Sequence, residues 1–563
     1  MTTSSLRQLL IICVLICCFQ RSSASPQVDA LTERIRNRIE AAGYPPLIEI
    51  QGELIYASQA LPAFYEQRGF APAWSDGTKP LPRVQTLINA IHEGLREALS
   101  PNDYHITQIR SINELFKDQK NLPKQDRFRL LVDLELLCTD AFLVYGSHLL
   151  AGRVNPETID AEWQANRRDA DIGKVLSKAL ADQEIGTALR NLLPEQTGYW
   201  RLRQALTDYR DIRYKGGWPA IPEGPKLQPG MTDQRVSILI QRLQITGDLQ
   251  DIEADSNFTY DSRIENAVKA FQKRHGLEPI GYVGPQTLAA LNVPARDRIR
   301  QIEINLERWR WLPQDLGKKH IIVNIADFRL FVVEEDSSIL EMRVVVGRDY
   351  RRTPVFSDKM TYLVFCPYWN VPPGITINDV LPAIKKDPGY LASKNIRVFK
   401  GWDVNTVEID PYTVDWSKVS GKNLQYRFRQ DPGATNSLGH VKFMFPNKFK
   451  VYLHDTPAKE LFEKQDRAFS SGCIRIEKPL ELTDYLLAKS PGWNRAKINA
   501  VIAKNVEQTV TLPEIIPIHI LYWTAWTGDS GIVNFRKDVY SRDTKLYHAL
   551  TEAPPEIEEI MGN

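Results

Sequence analysis

The feature that most constrains this fold is a change in the period of the apolar residues near position 318. Before it they recur at helical spacing. Val84, Leu87, Ile88, Ile91 and Leu95 line one face, residues 128–150 read as a long, nearly all-apolar helix central to its own bundle, and Ile299, Ile302, Leu306 and Trp309 give a further helix a packing face. After it, residues 320–325, 330–333 and 342–347 are β-rich runs separated by Asp, Arg, Glu and Ser, the pattern of a small sheet domain. With 563 residues, 43% hydrophobic and 25% charged, the chain is long enough for several domains. The expected fold class is multidomain α+β.

Punctuation by Pro and Gly divides the chain further. Residues 1–24 hold one Arg, Arg7, ahead of a short apolar run and a Ser-Ser-Ala ending, so they read as a signal peptide and the protein as exported. A lipoprotein would need a small residue before Cys17, where Ile16 stands. Residues 29–217 form a helical scaffold, and a Pro- and Gly-rich linker follows. Residues 231–293 make a compact three-helix unit. Val236, Leu239, Ile240 and Leu243 give its first face, Ile264, Ala267, Val268 and Phe271 its second, and Gly284-Pro285 starts the third helix. His275 reads as a surface or capping residue. Residues 294–317 are a connecting helix, 318–530 the sheet domain, and 531–563 a C-terminal extension whose tail from Ala553 is loose. Residues 518–526 alternate like an edge or closing strand, with His519 packed; His320 opens a strand and is structural. An insertion at 374–438 interrupts the strands, with Leu381, Ile384, Tyr390 and Leu391 on helix or loop; so long an interruption is expected to act as a lid.

The net charge is +2 with both signs interleaved, which gives no electrostatic reason to expect a nucleic-acid partner. Three of the six cysteines fall in the signal peptide. The odd remainder, Cys138, Cys366 and Cys473, excludes a complete disulfide framework and leaves a free thiol. Cys138 and Cys366 sit in apolar runs and read as buried hydrophobes. Cys473 lies instead in Ser470-Ser471-Gly472-Cys473, among small and polar residues, 19 positions after His454. A thiol with an imidazole near it is the smallest kit for acyl transfer. Small residues before the cysteine allow a sharp turn that leaves the Gly472 and Cys473 amides free for an oxyanion. In a strand ending at His454, Tyr452 shares the histidine's face, and Arg475 shares that of Cys473. No second ligand pair accompanies the Cys and His, so neither metal nor cofactor is expected.

His454 followed by Ser470-Ser471-Gly472-Cys473-Ile474-Arg475 resembles the signature of the YkuD-like L,D-transpeptidases. The flanks, Lys442 to Asn447 and Tyr452 to Pro457, resemble the large periplasmic branch of that family. Residues 267–272 with His275-Gly276-Leu277 and Gly281 to Gly284 look like a peptidoglycan-binding domain. The resemblance implies a mostly-β catalytic domain with a capping subdomain in the insertion. It further implies peptidoglycan stem peptides as substrate, with a tetrapeptide donor and a diamino acid amine as acceptor, 3→3 cross-links made through a thioester on Cys473, and carbapenems as covalent inhibitors. The histidine would be oriented by a backbone carbonyl, here that of Asp455, with a side-chain role as the alternative. Arg475 would hold a substrate carboxylate or buttress the turn, and Tyr452 and Trp369 would wall the cleft. Ser471 stands where many members carry His, so its side chain either donates a hydrogen bond or is merely small. The same nucleophile could serve hydrolysis or the attachment and detachment of a wall protein. A non-enzymatic wall-binding scaffold is the other alternative, and thiol labelling discriminates it.

Overall fold

The computed structural model describes residues 25–43, 46–117, 124–164, 167–250, 258–403 and 406–552; the expected signal peptide and the tail from Ala553 lie outside them. The described chain divides into two compact units, one of residues 25–151 and 169–193, the other of residues 152–168 and 194–552.

The first unit is helical. Its longest helix, Lys124–Ala151, buries Leu131, Leu134, Leu137, Cys138 and Phe142 on several sides. A helix apolar all round must be enclosed. One of its two fully buried carboxylates, Glu135, accepts hydrogen bonds from the backbone N–H groups of Ala73 and Trp74 and from the Ser75 and Tyr65 hydroxyls, and the other, Asp140, accepts from the Ala57 N–H and meets His105 Nε2, so both polar groups are satisfied. Helix Pro82–Glu93 starts on a proline at its first position and buries Val84, Leu87, Ile88 and Ile91. Leu95, expected on the same face, lies one turn further in a 3₁₀ segment and is exposed.

The second unit contains a nine-stranded sheet. Its strands are β1 (Lys319–Asn324), β2 (Arg329–Glu334), β3 (Ser337–Gly347), β4 (Phe356–Phe365), β5 (Val441–Met444), β6 (Leu453–His454), β7 (Ala468–Ser470), β8 (Ile474–Ile476) and β9 (Gln508–Leu521). The order is β7-β3-β8-β6-β5-β4-β9-β1-β2, and β2 also pairs with β3. The sheet therefore closes into a barrel, which removes all its edges but that of β7. Strand alternation fills the interior with Val323, Leu330, Val344, Leu363, Phe443, Leu453, Ile474 and Ile518, all fully buried. The β9 strand, expected at an edge or closing position, is not an edge: it completes the sheet, antiparallel to β4 and parallel to β1. His519 on it is packed, with its ring nitrogens at Ser357 Oγ and the Leu316 carbonyl.

Three helices, Arg235–Ile245, Ser262–Arg274 and Pro285–Leu291, surround a separate core that includes Leu239, Val268, Phe271 and Leu291. His275 caps the second of them but is not on the surface. It is stacked on Phe271 at 3.8 Å and also against Phe535, a residue far along the chain that the helical period could not announce. Helix Ala295–Arg310 was expected to connect domains by one packing face. It is instead buried nearly all round, because its polar residues find partners: Arg310 pairs with Glu307, Arg308 with Asp543, and Asn305 with Thr524. Helix Thr197–Tyr214, which the sequence period alone assigns to the scaffold, packs against it.

The insertion is a subdomain with its own four-stranded antiparallel sheet, in the order Trp369–Asn370, Tyr426–Gln430, Ile396–Lys400, Glu408–Ile409. Its helical segments, including Leu381–Lys386 and Tyr390–Ser393, pack on a core with Val398 and Phe428. The helix-or-loop expectation thus covers only part of it, and the sheet begins at Trp369, before residue 374.

Candidate active site

Strands β6 and β8 lie side by side and parallel, with Leu453 opposite Ile474 and His454 opposite Arg475. Leu453 and Ile474 fill the barrel core. Alternation then puts Tyr452, His454, Cys473 and Arg475 together on the other face. The Tyr452 and His454 rings meet edge-on at 5.7 Å. The next strand, β5, sets Lys442 opposite His454, between the buried Val441 and Phe443. Lys442 Nζ lies 5.7 Å from the Tyr452 ring. A row of Lys442, His454 and Arg475 thus crosses three adjacent strands beside the cysteine.

The imidazole is oriented by the main chain. His454 Nδ1 lies 2.5 Å from the Asp455 carbonyl. A carbonyl only accepts, so Nδ1 carries the proton and Nε2 presents its lone pair. The Asp455 carboxylate is occupied elsewhere, accepting from the N–H groups of His440 and Thr456 and from Lys459 Nζ. Gly439 makes this packing possible. It sits at φ +60°, and a Cβ there would fall 2.3 Å from Asp455 Oδ2.

The cysteine turn is held from both sides. Gly472 has φ +109°, a region that favours glycine. Ser470 Oγ accepts the Gly472 N–H at 3.1 Å and donates to the Cys473 carbonyl at 2.5 Å. Thr353 Oγ1 donates to the Gly472 carbonyl at 2.9 Å, and Arg348 N–H to the Ser470 carbonyl at 3.0 Å. This corrects the expectation that both turn amides are free: the Gly472 N–H is taken by Ser470, which leaves the Cys473 N–H as the candidate oxyanion donor. Ser471 accepts a hydrogen bond from Arg351 Nη1 at 2.9 Å, and the same nitrogen pairs with Asp379 of the insertion at 2.5 Å. The insertion is thereby tied to the residue two before the cysteine.

Electrostatics favours a neutral pair. Burial, and then the Arg475 charge, hold His454 down at about 3, against the Asp455 carbonyl, which favours protonation. Burial pushes the Cys473 thiol up, more than the Tyr452 hydrogen bonds and the Arg475 and Lys442 charges draw it down. At rest the site therefore holds thiol and imidazole. Cys473 retains partial exposure, whereas Cys138 and Cys366 are buried; all three are free. Among the described residues Arg475 has no carboxylate partner, and its buried Nε is unpartnered.

Of the residues expected from sequence, Cys473, His454, Gly472, Asp455, Ser471, Arg475 and Tyr452 come together. Trp369 does not: its backbone pairs with Gln430 and its indole packs on the core of the insertion. The sequence reading missed Lys442, Ser470 as a double hydrogen-bonder, Thr353 and Arg351. Lys442 carried a signal, a lone charge alternating with Val441 and Phe443. The others depend on contacts more than a hundred residues apart along the chain, or on turn geometry.

Three segments match described families: residues 318–498 the "L,D-transpeptidase catalytic domain" (YkuD), residues 232–291 the "Putative peptidoglycan binding domain", and residues 59–206 the "Scaffold domain". The chain therefore carries a YkuD L,D-transpeptidase catalytic domain together with a peptidoglycan-binding domain and a scaffold domain. It is similar to a curated Haemophilus influenzae protein described as "Putative L,D-transpeptidase", with 36% identity over 247 residues, 44% of this chain and 49% of that protein. The chain thus spans about half the length of that relative. Crystal structures of L,D-transpeptidases from Xylanimonas cellulosilytica (17% identity, 53% of this chain and 99% of that one) and Stackebrandtia nassauensis (14%, 54% and 96%) are also similar. Their TM-scores are 0.17 and 0.21, too low to bear on the fold.

Proposed function

We propose that the protein is an exported, periplasmic L,D-transpeptidase that forms 3→3 cross-links between peptidoglycan stem peptides through a thioester on Cys473. The observation that carries this reading is the shared face of β6 and β8, with Cys473 beside an imidazole whose Nε2 lone pair is set by the Asp455 carbonyl. Cys473 Sγ attacks the carbonyl of the diamino acid that precedes the terminal D-Ala of a tetrapeptide stem. As the S–C bond forms, His454 Nε2 takes the thiol proton. The tetrahedral oxyanion faces the Cys473 N–H, a type of contact worth about 3 kcal/mol when removed. Collapse breaks the C–N bond, and the imidazolium gives its proton to the departing D-Ala amine. The amine of a second stem then enters, His454 takes its proton, the new amide forms, and the sulfur leaves to be reprotonated by the imidazolium.

Arg475, with no carboxylate of its own, suits a substrate carboxylate, and Lys442 offers a second cation on the same face. Tyr452, whose ring meets that of His454 edge-on, walls the site. A carbapenem would acylate Cys473 by the same attack.

Incubation with disaccharide-tetrapeptide tests the reading. We expect release of D-Ala and cross-linked dimers, a carbapenem adduct on the Cys473 peptide, and loss of both in Cys473→Ala, since removing a nucleophile lowers rates by several orders of magnitude. Tripeptide without dimers would assign hydrolysis in place of transfer. Neither adduct nor any change in the muropeptides would refute the enzyme reading.

A further inference from the structure

A groove of about 880 Å³ runs between the three-helix unit and the catalytic barrel. It is built, not a gap between loosely placed parts. Gln465 Nε2 donates to the Gly276 carbonyl, Arg536 Nη1 to the Arg274 carbonyl, and Arg274 Nη1 to the Val533 carbonyl. Gly276, at φ +68°, admits the Arg536 side chain so closely that a Cβ would lie 2.6 Å from it.

The lining is strongly cationic, with eight Lys and Arg against four Asp and Glu. Two of the acids are already neutralised, Asp327 by Arg536 at 2.6 Å and Glu463 by Arg343 at 2.8 Å. Lys273, Arg298, Lys464, Arg467 and Lys537 have no carboxylate partner among the described residues. Among the described residues Arg467 donates to the carbonyls of Val344, Lys464 and Phe328. One polar side chain of the lining, more than nine-tenths buried, keeps an unpartnered donor: Arg298 at Nε. His275 Nδ1 donates to the Phe271 carbonyl, so its unpartnered Nε2 is an acceptor. A buried donor left so is uncommon. Unpaired cations in a concave wall concentrate a field that draws in anions.

The groove also has a fixed relation to Cys473. Its wall includes residues 463–467, and six positions separate Arg467 from Cys473, through β7 and the turn. At roughly 3.3 Å per extended residue that is at most about 20 Å. Over that span a polymer carrying carboxylates at intervals reaches both places at once.

We propose that this groove is a second, non-catalytic binding site for the carboxylate-bearing strands of polymeric peptidoglycan, holding the polymer while one of its stems reaches Cys473. The inference rests on the function proposed above but goes beyond the peptidoglycan-binding match, because most of the cations lie outside residues 232–291.

The test separates the two readings. Binding to purified sacculi is measured in a Cys473→Ala background, so that no turnover intervenes, with and without the exposed substitutions Lys273→Glu, Lys464→Glu and Lys537→Glu. We expect the triple variant to bind at least tenfold more weakly, Lys178→Glu on the scaffold to leave binding as it was, and added salt to weaken the parent's binding. In the Cys473 protein, the ratio of kcat/KM on polymer to kcat/KM on disaccharide-tetrapeptide should fall at least tenfold with the same three changes. An unchanged ratio, salt-independent binding, or a loss of affinity for anionic lipid vesicles without loss for sacculi overturns the groove. Absence of turnover on the short muropeptide overturns the transpeptidase reading and leaves the binding measurement standing.

Discussion

The pH dependence of acylation is the sharpest consequence of the site's burial. An ordinary histidine, titrating near 6.5, would be only about 3% neutral at pH 5, whereas His454 at about 3 would be roughly 99% neutral there. The two cases differ about thirtyfold in the amount of competent base. We therefore expect kcat/KM for D-Ala release to stay nearly level from pH 8 to pH 5. Stability does not stay level: it falls below about pH 6.5. Because the folded pKa is depressed, the unfolded chain binds the proton first, so the contribution of neutral His454 is complete above about 6.5 and is lost as pH falls toward 3. At pH 5 that loss is about 2 kcal/mol. Near-UV circular dichroism recorded on the same samples restricts the rate comparison to folded protein. A loss of half the activity near pH 6.5 in protein that is still folded would refute the neutral-pair argument.

Four further outcomes follow from particular contacts. Ser470→Ala leaves the buried Gly472 N–H and the Cys473 carbonyl without their partner, so it should lower stability by about 1–3 kcal/mol and kcat by tenfold or more; thermal melts and single-turnover acylation check both. Gly439→Ala adds about 1–2 kcal/mol of left-handed strain and drives a Cβ into Asp455; a mutant with normal melting and a normal His454 tautomer in nitrogen NMR spectra would show the close approach to be unimportant. Asp379→Ala removes a partly exposed pair with Arg351, so stability should change by less than about 1 kcal/mol while acylation by stem peptide slows several-fold; equal rates would deny the insertion a hold on the cysteine turn. In the first unit, burial would lower the His105 pKa, but hydrogen bonds to Asp140 and Glu53 outweigh it and hold the group at about 9; up to about 3 kcal/mol of stability present below pH 6.5 should be lost as pH rises through 9, and His105→Gln should flatten that dependence in melts at pH 6 and pH 10.

Periodicity made the architecture legible wherever an element buries one face. Val84 to Ile91, Leu239 to Leu243 and the run 342–347 each show the side that faces a core. It misled where burial is complete, because a helix such as Ala295–Arg310 hides arginines that look solvated until Glu307 and Asp543 are placed beside them. The sheet of the insertion was written in the sequence, since Ile396, Val398, Tyr426 and Phe428 alternate with Arg397, Arg427 and Arg429. Its short runs, set among Pro, Gly and Asp, were outweighed by the turn signals around them. Trp369 was misplaced for the same reason, as nothing local announces that it pairs with Gln430, 61 positions on.

The site shows why chemistry is more legible than geometry. A cysteine among small polar residues after a strand-borne histidine restricts the chemistry to a few reactions, because few other arrangements use that pair. Which amide meets the oxyanion is a different kind of question. Both Gly472 and Cys473 offer an N–H in the sequence, and only the closed turn shows Ser470 Oγ taking the first of them while gripping the carbonyl of the second. The protonation state is likewise a property of assembly. His454 and Arg475 are 21 positions apart, and only the parallel register of β6 and β8 sets them side by side, with Lys442 completing the row. Those two cations disfavour a third charge on the imidazole, and burial does so more strongly. The pair is thereby held uncharged until an approaching carbonyl gives the sulfur somewhere to put its electrons and the imidazole a reason to take the proton.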